Sequence, residues 1–215
     1  MTAHKAPLEK ELKYFLTKKD YEALVKACQK RVVGLVNQTN FYFDDRSLSL
    51  RKRRVGLRVR IENAKSCTLT VKEPSKLRSK TLPKLKIRKE WESRLSLSVA
   101  KKIIRGKKPI GTLQSKPVQI LKTHLSKEQL NEIVPLGSVK TSRTFVLADK
   151  NTLLEIDKFK MFKKKFYELE VETHQPSQAD KVVRALFKKH GIPYRPITKS
   201  KLGRFLDLWK KQKNA

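Results

Sequence analysis

Two glutamates and a lysine near the start of the chain form the pattern Glu-x-Glu-x-Lys at Glu9, Glu11 and Lys13. On a β-strand, residues two apart point to the same face, so the three charged side chains would share one side. Carboxylates bind hard divalent cations and an ammonium group binds phosphate, so this pattern could hold a metal and a phosphate together. Taken alone, the segment also fits a surface helix, because Glu9 and Lys13 are spaced for a favourable ion pair four residues apart.

The other acidic residues favour the strand interpretation. Of the 20 acidic residues, nine lie in four short segments, and in each segment they are two residues apart. A helix would scatter acids of period two around its axis, whereas a strand aligns them on one face. The nine are Glu9 and Glu11, Glu90 and Glu92, Glu155 and Asp157, and Glu168, Glu170 and Glu172.

Basic residues alternate in the same way in three further segments, at Arg58 and Arg60, at Lys72 and at Arg143. Lysine and arginine bind phosphate oxygens, and arginine can do so through two parallel hydrogen bonds. Carboxylates repel phosphate directly and become useful beside it by holding Mg²⁺ or Mn²⁺. The mixture predicts a metal–polyphosphate ligand, and phosphoryl transfer requires mainly the positioning and charge neutralisation that such residues supply.

Other catalytic arrangements are missing from the sequence. The four histidines are dispersed, no Ser/His/Asp or Cys/His arrangement is visible, and there is no Gly-rich loop of the P-loop type. Cys28 and Cys67 have no metal-like spacing, and we expect free thiols in a reducing compartment.

The charge of the chain is extreme, with 52 Lys and Arg against 20 Asp and Glu and a net charge of +32. Such a field attracts nucleic acid, polyphosphate or an anionic membrane surface, although a solvated basic surface is the alternative. No run approaches the ~20 apolar residues of a membrane span, and residues 1–7 contain no apolar leader-like segment. We therefore expect a cytoplasmic protein without membrane association, and its length suits one domain over residues 1–215.

Capping signals and turns place these residues on elements. Thr17–Asp20 predicts the start of a helix to about Arg31, Ser126–Gln129 starts a helix to about Val134, and Ser177–Asp180 starts one through Lys189. Further helices are predicted at 96–106 and after Ser200, and residues 107–117 are predicted as a loop. In addition to the opening segment, strands are predicted near 35–43, 55–62, 67–73, 84–94, 138–148, 152–160 and 165–173.

Strands with one apolar and one charged face allow two architectures. In a half-buried sheet the charged face meets solvent, whereas in a closed barrel it lines a polar lumen. Because an exposed face on so basic a chain would carry mainly lysine, the paired glutamates favour the barrel.

The ordered motifs resemble those of the CYTH family, the triphosphate tunnel metalloenzymes, over roughly residues 8–205 and so nearly the whole chain. The leading match is the Glu-x-Glu-x-Lys at Glu9, Glu11 and Lys13. The others, in the order of the family, are Asn40-Phe41-Tyr42-Phe43-Asp44, Leu57-Arg58-Val59-Arg60, Leu69-Thr70-Val71-Lys72, Arg88-Lys89-Glu90, Arg143, Asp157, the Glu-x-Glu-x-Glu of 168–172 and Ser200-Lys201-Leu202.

The resemblance implies an α+β fold in which an eight-stranded antiparallel closed β-barrel with flanking helices forms a tunnel for triphosphate. It implies catalytic roles for Lys13, Glu90 and Glu168, and it leaves the roles of Glu92 and Glu172 open. The phosphate-binding residues it implies are Lys13, Arg58, Arg60, Lys72, Arg143 and Lys201. The metal-binding residues it implies are Glu9, Glu11, Asp157, Glu168 and Glu170.

Family members hydrolyse inorganic triphosphate or thiamine triphosphate, or act as class IV adenylyl cyclases, and the fold does not choose among them. The segment Asn40–Asp44 and the helix start at Ser126 resemble the compact bacterial members. We therefore favour a hydrolase of inorganic triphosphate that depends on Mg²⁺ or Mn²⁺. The large cationic excess keeps longer polyphosphates, RNA 5′ ends and a non-catalytic polyphosphate or RNA binder as alternatives, and the oligomeric state is open.

Overall fold

The computed structural model describes residues 7–213, so most of the N-terminal segment considered above for a leader, and the end of the basic tail, lie outside the described residues. The strands are β1 (Leu8–Leu16), β2 (Val32–Asp44), β3 (Gly56–Glu62), β4 (Ser66–Pro74), β5 (Lys86–Leu95), β6 (Val134–Asp149), β7 (Thr152–Met161) and β8 (Lys164–Glu172). The helices are α1 (Lys18–Cys28), α2 (Ser49–Lys52), α3 (Leu97–Ile104), α4 (Lys116–His124), α5 (Lys127–Asn131), α6 (Pro176–Lys189) and α7 (Lys201–Lys213), with 3-10 turns at Gln29–Arg31 and Ile110–Thr112.

The eight strands form one closed antiparallel barrel in the order β1-β5-β4-β3-β2-β6-β7-β8. The opening Glu-x-Glu-x-Lys segment is a strand and not a helix, as the repeated period of two predicted. Strand β1 pairs with β8, which brings residues from the two ends of the sequence into one sheet. The expected fold class is therefore confirmed.

Capping chemistry defines the predicted start of α1. The hydroxyl of Thr17 accepts a hydrogen bond from the backbone N–H of Asp20 at 3.1 Å, and the Asp20 carboxylate accepts one from the backbone N–H of Thr17 at 2.9 Å. This reciprocal capping box satisfies two N–H groups that the first helical turn leaves without partners. The helix then buries Leu24 and Cys28, four residues apart on one face.

The chain divides into two compact units, each with its own hydrophobic core. The first unit holds β3 and β4, most of β2 and β5, and helices α2 to α5. In this unit Leu57 and Val59 of β3 pack with Leu69 and Val71 of β4 beneath α3 and α4. The alternating apolar residues of these strands therefore face the helices, which leaves the charged positions on the opposite face.

The second unit holds β1 from its second residue, most of β6, and β7 and β8, with α1, α6 and α7. Leu12 and Tyr14 of β1, Ile156 of β7 and Leu169 of β8 join residues of α1 and α6 in its core. Since these residues alternate with acids and bases along each strand, the apolar face lies outward beneath the helices and the charged face lies inward.

Three local predictions are wrong. Helix α4 lies across the end of the predicted loop 107–117 and begins with a proline in its first turn, Pro117, where a missing N–H costs nothing. Helix α6 begins at Pro176 with Gln175 as its N-cap, so Ser177 is not the cap. The helix from Ser126 does have its capping box but ends at Asn131, because β6 already begins at Val134.

Cys28 and Cys67 are both buried free thiols, as expected from their isolation in the sequence. Burial raises the pKa of each thiol above its ordinary value, which keeps both in the protonated form. Between residues 7 and 213, no helix combines the length and the apolar character that crossing a membrane requires.

Candidate active site

The inner face of the second unit gathers charged residues from four strands and one helix. Cross-strand register places Lys13 of β1 opposite Glu170 of β8, Arg143 of β6 opposite Asp157 of β7, and Asp157 opposite Glu168 of β8. Residues directly opposite on one face have Cβ atoms about 5 Å apart, so their side chains must interact. We call this group, with the helix residue Lys201, the ion cluster: Lys13, Arg143, Asp157, Glu168, Glu170 and Lys201.

Lys13 contacts acids from two strands. Its Nζ atom donates a short hydrogen bond to Glu170 and lies 3.2 Å from Glu11 Oε1 on its own strand. The same atom lies 3.9 Å from Glu168 Oε1. One ammonium group therefore separates carboxylates that would otherwise repel one another.

Arg143 binds Asp157 through two parallel hydrogen bonds, from Nε at 2.8 Å and from Nη2 at 2.7 Å. Its Nη2 also donates to Glu170 at 2.6 Å, and its Nη1 forms a close ion pair with Glu155. A guanidinium in this fork geometry is held rigidly, which suits recognition of planar or tetrahedral oxyanions.

Lys201 reaches the cluster from the first residue of α7. Its Nζ atom lies 2.7 Å from Asp157 and 2.8 Å from Glu170, and it forms a close ion pair with Glu168. Arg204, one turn later on the same helix, forms another close ion pair with Glu168. The helix thus contributes two cations to one acidic group.

An aromatic surface lies directly beside these two cations. The Phe159 ring lies 5.0 Å from Lys201 Nζ and 5.1 Å from the Arg204 guanidinium carbon, distances typical of cation–π contacts. Phe159 also stacks on Phe166, and Phe162 of the β7–β8 turn stacks on Phe205 of α7. The charged part of the inner face therefore ends at an apolar wall on the side of this turn.

Burial makes the ion cluster electrostatically strong. The side chains of Asp157 and Glu168 are 0% exposed. Burial alone would raise the pKa of Glu170, but Lys13, Lys201 and Arg143 overcome this and hold that pKa well below its ordinary value. Burial alone would lower the pKa of Lys201, but the carboxylates of Asp157 and Glu170 overcome this effect and raise that pKa above its ordinary value. Both groups are therefore charged near neutral pH.

Glu155 differs from its neighbours. Burial, aided by repulsion from Glu170 and Asp157, raises its pKa to about 7, although Arg143 opposes the shift. With Glu11 and Glu155 included, the cluster and its contacts contain five carboxylates, on Glu11, Glu155, Asp157, Glu168 and Glu170. The four cations, on Lys13, Arg143, Lys201 and Arg204, do not outnumber them. A phosphate chain entering this group adds negative charge that must be neutralised by cations arriving with it.

Two groups of carboxylates are close enough to share a metal ion. The carboxylates of Glu9, Glu11 and Glu172 offer oxygens that lie within 4.8 Å of one another, and those of Asp157, Glu168 and Glu170 do the same. Carboxylate oxygens are the ligands that Mg²⁺ and Mn²⁺ prefer. Glu11 lies directly opposite Glu172 in the β1–β8 register, a like-charge pair that is destabilising unless a cation lies between the two side chains. The donor set therefore fits the expected metals.

The first unit carries a separate charged group on β3, β4 and β5. Arg58 Nη2 lies 3.1 Å from Glu90 Oε1, and Lys72 Nζ lies 3.1 Å from Glu90 Oε2. Glu92 accepts a hydrogen bond from Thr70 at 2.7 Å and lies 3.6 Å from Arg58. Glu90 thus holds two of the predicted phosphate-binding cations beside each other.

Arg60 lies next to this group on β3. Its Nε donates to Asn40 Oδ1 at 2.9 Å, and its Nη1 lies 3.3 Å from Glu62. Asn40 begins the Asn-Phe-Tyr-Phe-Asp motif, so the contact gives that residue a defined role in orienting a guanidinium.

Sequence reasoning found most members of these groups and missed two. The structure brings Lys13, Arg143 and Lys201 together with three predicted acids, and it places Glu172, whose role was open, beside Glu9 and Glu11. Glu155 was recognised as part of the period-two pattern but was given no role. Arg204 was missed, although its spacing of three from Lys201 places both on one helix face.

Comparison with known proteins agrees with this fold. The CYTH domain family profile matches residues 7–206, so the chain belongs to the CYTH family. YjbK of Bacillus subtilis (strain 168), a proposed triphosphatase, is 26% identical over 200 residues, which cover 93% of this chain and 95% of YjbK.

Two solved structures share the fold. HpAC1 from Hippeastrum, a proposed adenylyl cyclase described as having a dominant triphosphatase activity, superposes with a TM-score of 0.81 at 23% identity, covering 93% of this chain and 95% of HpAC1. A proposed adenylate cyclase from Bacillus halodurans superposes with a TM-score of 0.72 at 22% identity, covering 91% of this chain and 95% of that protein. At these identities the likeness supports the architecture alone.

Proposed function

We propose that this protein is a divalent-metal-dependent hydrolase of triphosphates and that its substrate is inorganic triphosphate. The observation that carries the proposal is the ion cluster, in which buried Lys13, Arg143 and Lys201 are shared among Asp157, Glu168 and Glu170. Family membership and the likeness to YjbK support the same reaction class.

The charge balance of the cluster supports metal dependence. Cations alone would bind phosphate without a metal, whereas this cluster places at least as many carboxylates among them. When a polyphosphate binds here, the lysine and arginine side chains exchange their carboxylate partners for phosphate oxygens. The carboxylates that lose their partners then need other cations. Mg²⁺ or Mn²⁺ bound by these acids would supply the positive charge that neutralises both carboxylate and phosphate oxygens.

The basic and the acidic residues of the site have different proposed roles. We assign phosphate binding to the cations Lys13, Arg58, Arg60, Lys72, Arg143 and Lys201. We assign metal binding to the acids Glu9, Glu11, Asp157, Glu168 and Glu170, and we add Glu172 because its carboxylate lies with those of Glu9 and Glu11.

Three residues are assigned catalytic roles. Glu168 orients the attacking water and accepts its proton, and Lys13 neutralises charge that develops on the leaving phosphate. Glu90 positions Arg58 and Lys72, because one carboxylate oxygen lies 3.1 Å from Arg58 Nη2 and the other lies 3.1 Å from Lys72 Nζ. Hydrolysis of one phosphoanhydride bond then releases orthophosphate and pyrophosphate.

The choice of inorganic triphosphate rests on resemblance. The Asn40–Asp44 motif and the helix start at Ser126, where the capping box forms, resemble the compact bacterial members, and YjbK is similar over almost its whole length. Thiamine triphosphate and ATP are the natural alternatives, so a substrate panel separates them. Cyclic AMP from ATP without orthophosphate would instead identify a class IV adenylyl cyclase.

The direct test is orthophosphate release from tripolyphosphate with Mg²⁺ or Mn²⁺, with and without a chelator. We expect Glu11→Gln and Lys72→Ala each to lower kcat/KM by about 100-fold or more, the scale for losing one electrostatic contact to a transition state. The matched controls are Glu22→Gln on α1 and Lys122→Ala on α4, both exposed, which should retain full activity. Full activity in both site variants, or equal rates with chelator, would contradict the proposal.

A further inference from the structure

In the described registers of this barrel, charged residues that face each other form four pairs of opposite sign and five pairs of like sign. The opposite pairs include three of the proposed phosphate-binding cations. Lys13 lies opposite Glu170, Lys72 opposite Glu90, and Arg143 opposite Asp157. Such pairs stabilise a sheet, whereas like charges directly opposite destabilise it. Like-charge pairs in the described registers therefore require an explanation.

The registers of β1–β8, β2–β3, β3–β4, β4–β5, β6–β7 and β7–β8 contain like-charge pairs in two sets only. One set is acidic and lies on the inner face, where the proposed metals and the cations of the ion cluster account for it. The other set is basic, with Lys140, Lys160 and Lys165 side by side on β6, β7 and β8.

These three lysines are the centre of a larger group that we call the lysine patch. Lys158 lies two residues from Lys160 on β7, Lys163 lies in the turn between β7 and β8, and Lys164 is the first residue of β8. All six side chains are exposed, and no ion pair between described residues involves any of them. On β7 the patch lysines alternate with Asp157 and Phe159, so they lie on the outer face, away from the ion cluster.

We propose that the lysine patch binds the phosphate backbone of a nucleic-acid duplex. By the same reasoning that assigns a cation to the acidic pairs, a row of unneutralised lysines calls for a polyanion. Adjacent strands lie about 4.8 Å apart, so the row Lys140–Lys160–Lys165 spans about 10 Å. This width is on the scale of the groove between the two phosphate backbones of a duplex, about 12 Å for the DNA major groove.

The shape of the patch favours a duplex over other polyanions. Its lysines extend in two dimensions, across three strands and along β7, whereas a linear polyphosphate would contact a single line of them. The large exposed apolar side chains of residues 7–213 lie outside the patch, which disfavours insertion into a membrane interface.

The patch also lacks a surface for reading bases. Tyr167, which lies directly opposite Lys158 in the β7–β8 register, is half-buried and packs against Tyr21 with ring centroids 5.0 Å apart. Phe162 and Phe166, the other aromatic residues beside the patch lysines, stack on Phe205 and Phe159. Because these rings already pack against other rings, unpaired bases have little to stack on. We therefore expect binding through phosphates alone and without sequence preference.

The test measures binding of fluorescent 20-base-pair duplexes of two unrelated sequences over a range of salt concentrations. The patch variant carries Lys140→Gln, Lys160→Gln and Lys165→Gln. Its control carries the same change in charge at three exposed lysines elsewhere, Lys102→Gln, Lys122→Gln and Lys127→Gln. We expect the patch variant to bind at least about tenfold more weakly and to lose about 2 to 3 from the slope of log affinity against log salt. The control variant should change little.

Three results would overturn the inference: equal losses in the patch and control variants, undiminished duplex binding by the patch variant, or a patch that binds polyphosphate or anionic vesicles and no duplex. Folding is checked by the denaturation midpoint, which should stay the same or rise as lysine repulsion is removed, and by the single variant Lys160→Gln. Hydrolysis of tripolyphosphate should be unchanged in all variants, so failure of this inference is distinct from failure of the proposed function.

Discussion

At the scale of single residues, the ion cluster depends on cations that are each shared by several acids. Lys201 alone contacts Asp157, Glu168 and Glu170, two of which have no exposed side-chain surface. Removing one partner of a buried ion pair typically costs about 3 to 5 kcal/mol, because it leaves an uncompensated charge. Each shared cation therefore contributes to folding as well as to the proposed chemistry.

Replacing Lys201 with methionine tests this double contribution, since the two side chains are similar in length and differ in charge. We expect the free energy of unfolding to fall by about 3 kcal/mol and kcat/KM for tripolyphosphate to fall by about 100-fold. Urea denaturation and steady-state kinetics measure the two effects. Lys199→Met removes a mostly exposed lysine that pairs with Asp207 and should change neither quantity; equal behaviour of the two variants would refute the assignment.

Glu172 supplies a residue-scale prediction about metal binding. Because its carboxylate lies within 4.8 Å of those of Glu9 and Glu11, Glu172→Gln should raise the Mg²⁺ concentration needed for half-maximal activity by about tenfold or more. The rate at saturating Mg²⁺ should fall less. An unchanged Mg²⁺ requirement, with Glu22→Gln as the reference, would assign Glu172 to the solvated surface.

At the scale of elements, a buried carboxylate holds together the parts that deliver Lys13 and Lys201. Asp180 of α6 accepts hydrogen bonds from the hydroxyl groups of Tyr14 at 2.8 Å and Tyr194 at 2.5 Å, and from Arg184 at 2.7 Å. The segment from Tyr194 then runs along β1, where the Ile197 N–H donates to the Lys13 carbonyl at 2.8 Å. Strand β1 and the approach to α7 are thus fixed by one acidic group.

The hydrogen bonds to Asp180 lead us to expect a specific dependence of the free energy of unfolding on pH. Burial raises its pKa, but hydrogen bonds from Tyr194, Arg184 and Tyr14 overcome this and lower the pKa below its ordinary value. The ionised form therefore stabilises the fold above the ordinary pKa of about 3.9, and this contribution is lost as the pH falls through the lower folded-state pKa.

Asp180→Asn should remove this contribution, so the variant is less stable at neutral pH and loses less of its remaining stability on acidification. Chemical denaturation at a series of pH values between 2 and 7 measures both effects. Asp207→Asn, at a surface ion pair with Lys199, should keep the steep acid dependence of the parent protein. A steep dependence retained in Asp180→Asn would contradict this account.

Packing in the first unit gives a second element-scale prediction. A Cβ atom added at Gly111 would lie 2.9 Å from Cγ of Leu130, a buried residue of α5. Since Leu130 has little room to move, Gly111→Ala should lower the free energy of unfolding by about 1 to 3 kcal/mol. Thermal denaturation checks this, and the double variant Gly111→Ala with Leu130→Ala should be less than additive, because the second change removes the clash. Additive losses would contradict it.

The elements that were predictable from sequence are those with local signals. Period two placed Glu9, Glu11 and Lys13 on one strand face without any tertiary information. Helix α4 was missed although Pro117 is an ordinary start signal, because the surrounding prolines and glycine read as a loop. The role of Asp180 was not predictable, since its tyrosine partners lie 166 and 14 residues away and only the fold brings them together. The single-domain interpretation stays a prediction.

At the scale of the whole molecule, the dominant property is the net charge of +32. A field of this size attracts anionic substrates over a Debye length, which is about 10 Å at 0.1 M salt and about 3 Å at 1 M. The buried pairs of the ion cluster are screened far less than this outer field. Salt should therefore act mainly on capture of the substrate.

Raising the ionic strength from about 0.02 to about 0.5 M should increase KM for tripolyphosphate by about tenfold while kcat changes by less than about twofold. Steady-state kinetics in sodium chloride at fixed Mg²⁺ measures both constants. A decrease in kcat that matches the change in KM would show that salt reaches the ion cluster itself. The same series on the lysine-patch variant should give a similar response, because three charges are a small part of the total.

The pairing of Lys13 with Glu170, and of Lys201 with the same carboxylate, has a consequence for the order of folding events. These contacts join positions 157 and 31 residues apart, and the β1–β8 strand pair has similar sequence separation. Long loops must close before such contacts form, so the chain loses conformational entropy before it gains the favourable energy of the contacts. A chain emerging from the ribosome therefore carries Asp157, Glu168 and Glu170 before Lys201 exists to neutralise them. We expect barrel closure to be the slow step, with the acids hydrated until the last cation arrives.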